Sequence, residues 1–190
     1  MKKEAASIFK QNVPDSSGEE LYRRFVEGDT KAFEQLVGLY ELELSQFISG
    51  MIRDSHETKH LVIETFAQLA ASAGQFKGAS SLKTYLFTIA KNLTMRLLKK
   101  RGREKHLSLE DVLQEAPRTD EALEALWMRK EIREMLHAAM QKLKMEHREV
   151  LLLLYMEEMS YREAGRVMVK SERQIEGLAY RAKAALKKVL

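Results

Sequence analysis

Apolar residues recur at helical spacing along most of this chain, which predicts an almost entirely α-helical protein. A short helix over residues 21–26 is expected to end at Gly28, and Asp29 is a suitable N-cap for the long helix that follows. Two further helices are predicted, from about Glu57 to Ala73 and from about Ser81 to Lys100. Each has an apolar face, so the four helices together predict one helical domain.

Helical periodicity is lost after this domain and returns near residue 120. The intervening stretch is polar and contains Pro117, so it is expected to form a flexible, acidic linker. Beyond it, helices are predicted near residues 120–143 and 146–157. The predicted organisation is therefore an N-terminal tail (1–18), a first helical domain (19–101), the linker (102–119) and a second helical domain (120–190).

Two capping boxes lie eleven residues apart near the C-terminus. In each box a serine hydroxyl accepts from the amide three residues on, and that residue's side chain reaches back to the serine amide. The boxes are Ser160 with Glu163 and Ser171 with Gln174. They predict a short helix, a tight turn and a longer helix, which is the geometry of a helix-turn-helix. An ordinary helical hairpin that closes the domain is the alternative.

Composition narrows the possible functions. The chain of 190 residues has no cysteine, and its most apolar run, Val150 to Met156, is too short to cross a bilayer. A cytoplasmic protein without membrane insertion is expected. No catalytic motif stands out, so an enzyme and a cofactor are not expected. His56 and His60 are spaced four residues apart but lack a third ligand, so no metal site is predicted.

The charge is divided into blocks along the chain. Residues 76–108 contain 9 basic residues and 1 acidic residue, net +8, and residues 128–190 contain 14 and 9, net +5. Residues 109–127, with 1 basic and 6 acidic residues, separate them with a net charge of −5. Two basic surfaces divided by an acidic connector are suited to two contacts on one polyanion such as DNA.

Several motifs, in this order, resemble those of the extracytoplasmic-function (ECF) class of bacterial sigma factors. The similar segments are Glu27–Tyr40, Leu61–Phe66, Leu82–Asn92, Ser160–Glu163 and Arg181–Lys183. Each motif is weak alone, but together they extend over both predicted domains. The resemblance implies an all-α protein with a region 2-like first domain and a region 4-like second domain.

The resemblance also implies partners and contact residues. The expected partners are core RNA polymerase, through the clamp of its beta-prime subunit and the beta flap, and promoter DNA, and an anti-sigma factor is a further partner common in the family. The implied polymerase-binding residues are Leu61, Val62, Glu64, Thr65 and Phe66. The chain differs from the usual pattern of this segment at Lys59, His60 and Ile63.

The DNA-contacting residues implied by the resemblance fall into two groups. Those expected to read and melt the minus 10 element are Lys77, Lys83, Tyr85, Lys91, Asn92, Arg96, Lys99 and Lys100. Those expected to read the minus 35 element are Arg162, Ser171, Glu172, Arg173, Gln174, Glu176, Arg181 and Lys183. Tyr85 replaces the family's usual tryptophan and is expected to be exposed, and Val169 replaces the glycine of the helix-turn-helix corner.

The sequence therefore predicts a sigma factor that directs core RNA polymerase to promoters by recognising minus 35 and minus 10 elements. Two alternatives are open at this point. One is a sigma-derived DNA-binding regulator that lacks polymerase activity. The other is a helical interaction protein whose basic faces bind an acidic partner without promoter selectivity.

Overall fold

The computed structural model describes residues 18–104 and 135–190 of the chain, and every element in these two ranges is helical. The predicted N-terminal tail up to residue 17, the linker from residue 105 onward and the predicted helix over residues 120–134 lie outside the described residues. The elements are α1 (Gly18–Val26), α2 (Thr30–Met51), α3 (Ser55–Ala71), α4 (Leu82–Glu104), α5 (135–141), α6 (Met145–Leu151), a π-helical turn (Leu152–Met156), α7 (Tyr161–Met168) and α8 (Glu172–Val189).

The first domain, α1–α4, is built on the apolar stripes that the sequence predicts. Asp29 caps α2, its Oδ1 accepting from the amides of Lys31 and Ala32 at 3.0 and 3.2 Å, as predicted. The core of the first domain contains fully buried side chains such as Phe47 and Phe87, whose ring centroids are 5.2 Å apart. Helix α4 continues to Glu104, past the predicted end near Lys100.

The second domain, α5–α8, has its apolar core on α6 and the π-helical turn. Val150 and Leu153 are fully buried there. The predicted helix over residues 146–157 is thus an α-helix that widens into a π-helical turn, which re-aims the chain before α7 begins. None of the described helices is long and apolar enough to cross a membrane.

The two domains pack against each other, which the sequence did not predict. Three side chains of the second domain bind the last carbonyls of α2: His137 lies 3.3 Å from the carbonyl of Ser49, Gln141 donates to that of Gly50 at 3.2 Å, and Arg148 donates to that of Met51 at 2.9 Å. These carbonyls have no partner within α2, so the second domain satisfies the C-terminus of that helix.

Close packing accompanies these hydrogen bonds. Gly50 is buried, and a Cβ built on it would lie 2.6 Å from Leu152 Cδ2. Helix α7 also packs on α4, and the buried apolar side chains of both domains form one cluster. The described residues are therefore in a compact arrangement with α4 between the rest of the first domain and α7.

Candidate nucleic-acid interface

The starts of α7 and α8 are fixed by the two predicted capping boxes. The hydroxyl of Ser160 accepts from the Glu163 amide at 3.2 Å, and the Ser160 amide donates to Glu163 Oε2 at 3.0 Å. In the second box the Gln174 amide donates to Ser171 Oγ at 3.3 Å, and the Ser171 amide donates to Gln174 Oε1 at 2.8 Å. Both predictions are confirmed, so the helix-turn-helix follows from local sequence.

The turn between α7 and α8 is held by main-chain hydrogen bonds. The amide of Lys170 donates to the carbonyl of Gly165 at 2.8 Å, and the amide of Val169 donates to that of Arg166 at 3.4 Å, which is the Schellman pattern. Val169 has a φ of 56°, in the left-handed region that glycine prefers. Gly165 is required sterically, because a Cβ there would lie 2.6 Å from the Lys170 carbonyl oxygen.

Helix α8 has one buried face and one exposed face on which cations outnumber acids. Ile175, Leu178 and Ala182 are buried against the rest of the second domain. All eight residues predicted to read the minus 35 element are exposed, and seven of them lie at the start or on the outer faces of α8. Arg162 is the exception, since it lies on α7. The structure thus places the whole set on the solvent-exposed surface of the helix-turn-helix.

The helix-turn-helix surface also contains aromatic residues that the sequence analysis did not select. Tyr180 is 78% exposed on α8, and Tyr161 on α7 lines the same shallow groove. The Lys183 ammonium lies 4.7 Å from the ring centroid of Tyr155, and a hydrogen bond that the ammonium donates to the Tyr155 phenol oxygen raises the pKa of Lys183. The sequence assigned these tyrosines neither to the core nor to the DNA-contacting set, and the fold shows that they face outward.

Helix α4 divides the predicted minus 10 residues between two faces. Tyr85, Asn92, Arg96 and Lys99 follow one another at helical spacing and therefore share a face. Asn92, Arg96 and Lys99 are exposed, whereas Tyr85 is half-buried because its ring packs 5.3 Å from that of Phe76. The expected exposure of Tyr85 is therefore only partly met. The set also includes Lys77, exposed in the loop before α4, and Lys100, exposed near its end.

The other face of α4 is turned toward the second domain. The Lys83 ammonium lies 2.9 Å from Glu43 Oε2 on α2 and 3.4 Å from Glu157 Oε2, and it also donates to the Glu157 carbonyl at 3.2 Å. Glu157 is buried, and burial raises the pKa of its carboxyl to about 7. In this arrangement Lys83 binds carboxylates of the protein itself rather than an external anion.

Lys91, two turns along α4 from Lys83, interacts electrostatically with a second buried carboxyl. Glu149 on α6 is 4% exposed, and its Oε1 has no hydrogen-bond partner in the part of the chain described. Burial raises the pKa of Glu149 to about 7, while Lys91 and Lys170 act in the opposite direction. The basic face of α4 that meets the second domain is therefore matched by two buried glutamates.

Helix α3 places the predicted polymerase-binding residues mostly in the core. Leu61, Val62, Thr65 and Phe66 are buried, and Thr65 Oγ1 donates to the Leu61 carbonyl at 2.6 Å. Only Glu64 of that set is exposed. The apolar residues of the motif form the inward stripe of an amphipathic helix, so the surface that a partner can reach consists of their neighbours. These accessible side chains are Lys59, His60, Ile63, Glu64, Ala67 and Gln68.

The N-terminus of α3 is tied to the end of α4. Asp54 accepts from the Glu57 amide at 2.9 Å, and Arg101 donates to Asp54 Oδ2 at 2.8 Å. The amide and the guanidinium hold the pKa of the Asp54 carboxyl below its usual range.

Residues 18–104 and 135–190 contain no group of three or more His, Asp or Glu side chains placed to hold a metal ion.

Comparison with known protein families assigns both domains. Residues 36–104 match the family model described as Sigma-70 region 2, and residues 133–186 match the one described as Sigma-70, region 4. The chain belongs to the sigma-70 family. The two matches cover the face of α4 and the helix-turn-helix described above, so the candidate sites lie within the family's own regions.

Curated relatives extend the match over nearly the whole chain. The RNA polymerase sigma-H factor of Pseudomonas aeruginosa is 28% identical over 179 residues, covering 90% of this chain and 93% of that protein. The ECF RNA polymerase sigma factor SigM of Bacillus subtilis is 27% identical, covering 81% and 92%. With both regions and these relatives, the chain is an ECF sigma factor that directs promoter-specific transcription initiation.

Two solved structures share the fold of this sigma factor. CnrH in complex with the cytosolic domain of CnrY has a TM-score of 0.66 at 22% identity and covers 89% of this chain and 94% of that one. The sigma factor RpoE in complex with the anti-sigma factor NepR from Bartonella quintana has a TM-score of 0.67 at 24% identity, covering 84% and 97%. At these identities the likeness establishes the fold alone.

Proposed function

We propose that this sigma factor reads the minus 35 element with α8 and the minus 10 element with the exposed face of α4. It does so while bound to the clamp of the beta-prime subunit and to the beta flap of core RNA polymerase, in the cytoplasm. The observation that carries this proposal is the presence of two separate exposed basic faces, one in each sigma-70 region.

At the minus 35 element, the N-terminal part of α8 enters the major groove. Arg173 and Glu176 are exposed there and suit base edges, since arginine pairs with guanine and glutamate accepts from the cytosine amino group. Gln174 uses its Oε1 in the capping box, which leaves its amide NH2 group for DNA. Arg162, Arg181 and Lys183 bind phosphates and fix the position of the helix on the duplex.

At the minus 10 element, the exposed residues of α4 meet single-stranded DNA. Asn92 contacts an unpaired base, and Arg96 and Lys99 on the same face neutralise phosphates. Tyr85 supplies a ring edge rather than a freely exposed face, because it packs on Phe76. Lys83 and Lys91 contribute only when the second domain moves away from α4, since both face that domain in the compact arrangement.

Polymerase binding is assigned to the outer face of α3. Glu64 and Ile63 are its central exposed residues, and Ile63 is 68% exposed. A large exposed apolar side chain flanked by polar ones is typical of a contact surface. The buried residues Leu61, Val62, Thr65 and Phe66 act by positioning that face.

An anti-sigma factor is proposed as a further partner. The compact arrangement of the two domains supports it, as does the fold shared with the sigma factor RpoE, which was solved in complex with the anti-sigma factor NepR. Such a partner would hold the two domains in this compact arrangement, the closed form, in which Lys83 and Lys91 face the second domain.

Transcription in vitro tests the proposed function directly. Core RNA polymerase from the source bacterium is given fragmented genomic DNA with and without this protein, and new RNA starts are mapped. Starts that share two spaced upstream motifs are the expected result. Core binding without new starts, or duplex binding without core binding, would contradict the proposal and favour a DNA-binding regulator.

A further inference from the structure

Helix α8 contains a glycine that the fold does not require. Gly177 is the sixth residue of α8, and glycine is among the least favourable residues in a helix interior. It has no positive φ, and a Cβ built on it would meet only the flexible Arg181 Nη1 at 3.4 Å. Gly50 and Gly165, by contrast, are each in contact with a neighbour that leaves no room for a Cβ.

Gly177 lies on the outward face of α8, between two cations. Arg173 is one turn before it and Arg181 one turn after it, and both are exposed. The buried residues Ile175, Leu178 and Ala182 lie on the opposite side of the helix. Gly177 also lines the groove to which Tyr161, Glu176 and Tyr180 contribute. Gly177 is half-buried among exposed side chains, so the backbone at this position forms part of the floor of a groove that is open to solvent.

The absence of a side chain at Gly177 allows another molecule to approach the backbone of α8 closely. In the major groove, cations on either side of α8 bind phosphates of the two strands, while the middle of the helix face meets the base edges. Without a Cβ, the backbone can approach those edges by the width of a methyl group more than at other positions. Deeper entry brings Arg173 and Glu176 within hydrogen-bond distance of the bases.

We propose that Gly177 is the point of closest approach between α8 and the base edges of the upstream promoter element, and that its missing side chain sets how deeply the recognition helix enters the major groove. This inference rests on the proposed function of α8 in reading the minus 35 element. It assigns to Gly177 a role in specificity rather than in folding.

The test is Gly177→Ala in the full chain, assayed as holoenzyme on promoters found by mapping RNA starts. Alanine favours the helix and should raise the melting temperature by about 2–4 °C. It should also weaken binding to promoter duplex about tenfold, because an added methyl group holds the helix away from the bases. On templates whose upstream element is replaced, the variant and the wild type should bind equally.

Gly38→Ala is the matched control. Gly38 is an exposed glycine inside α2 with open space around its Cβ position, so the same rise in melting temperature is expected without any loss of promoter binding. Equal promoter binding by Gly177→Ala and wild type overturns the inference while leaving the proposed function intact. A fall in melting temperature also overturns it, because the fold would then need the glycine. A wild type that starts no promoter-specific RNA overturns the proposed function and this inference together.

Discussion

Val169 occupies a backbone conformation that β-branched residues rarely adopt. Its φ is 56° and ψ 49°, and its side chain is 84% exposed, so it gains almost no packing there. The conformation is imposed by the hydrogen bond from Lys170 to Gly165 and by the capping box of Ser171, which together place α8 on α7. The corner is thus strained in order to orient the recognition helix.

Relief of that strain should stabilise the protein. Val169→Gly is expected to raise the free energy of unfolding by about 1 kcal/mol, since glycine adopts positive φ without a Cβ clash and no buried contact is lost. Urea unfolding measures the change. Val169→Ala keeps a Cβ and should gain much less. A loss of stability in Val169→Gly would show that valine is not strained at this corner.

Arg173 provides the residue-scale prediction for promoter recognition. If Arg173 makes a bidentate contact with a guanine, Arg173→Ala should weaken the binding free energy of promoters with that guanine by about 1–3 kcal/mol. The preference for guanine at that position should also be relaxed. Holoenzyme binding to a set of single-base promoter variants measures this. An equal loss on every sequence would show that Arg173 contacts a phosphate.

Lys183→Ala is the matched comparison on the same helix. Its ammonium lies over Tyr155 on the flank of α8, a position suited to a phosphate. We expect binding to weaken on all sequences, with a salt slope lower by about one unit. A base-specific loss in this variant would contradict the division of α8 into a central base-reading face and phosphate-binding flanks.

At the scale of the element, Arg148 joins three helices. Its guanidinium is buried and donates to the carbonyls of Met140, Met51 and Leu143 and to both the side chain and the carbonyl of Gln141. Burial lowers the pKa of Arg148. Four of its five donors bind carbonyls at or just after the ends of α2 and α5, and the fifth binds the Gln141 side chain, so this one side chain of α6 positions α2 and α5.

Arg148→Ala should therefore lower the free energy of unfolding by about 3 kcal/mol, because several buried carbonyls lose a charged donor. Arg148→Lys should rescue little of it, since an ammonium cannot reach helix ends in several directions at once. Urea unfolding of both variants measures the loss. Lys142→Ala, which removes an exposed cation between α5 and α6, serves as the control with no expected change. A loss in Arg148→Ala no larger than in that control would contradict this role.

The helices and their caps were predictable because their causes are local. Asp29, Ser160 and Ser171 act on amides two or three residues away, so sequence patterns contain the whole interaction. Contacts between domains were not predictable in this way. Arg148 and Met51 are 97 residues apart, and no periodicity indicates that they meet.

The same distinction explains the candidate sites. The sequence identified the exposed face of α8 because its buried stripe is regular, but a family motif on α3 mixed core residues with surface residues. Periodicity already placed Leu61, Val62 and Phe66 on the inner face. Tyr85 was expected at the surface, and its packing on Phe76 depends on the loop before α4, whose course local patterns do not specify.

At the scale of the whole molecule, the closed form buries the carboxyls of Glu157 and Glu149 against α4. Lys83 lies within ion-pair distance of both Glu157 and Glu43, and Lys91 interacts electrostatically with Glu149. Burial raises the pKa of both carboxyls from 4.5 to about 7. Because the closed form holds these protons more tightly than an open one, its stability is greatest below about pH 4.5 and falls as the pH rises toward 7, where both groups ionise.

The distance between the two domains should therefore depend on pH. The chain has no cysteine, so one cysteine introduced in α2 and one in α8 can carry a donor and an acceptor dye without labelling at any other position. Fluorescence resonance energy transfer between the dyes then reports the distance between the two domains. We expect a larger closed fraction at about pH 5.5 than at about pH 8, because protonated Glu157 and Glu149 need no counterion when buried. The Glu157→Gln, Glu149→Gln double variant carries neutral side chains at every pH and should lose this dependence while remaining closed at about pH 8. A closed fraction that is the same at both pH values in the wild type, or a dependence that persists in the double variant, would show that these carboxyls do not control how the second domain covers α4.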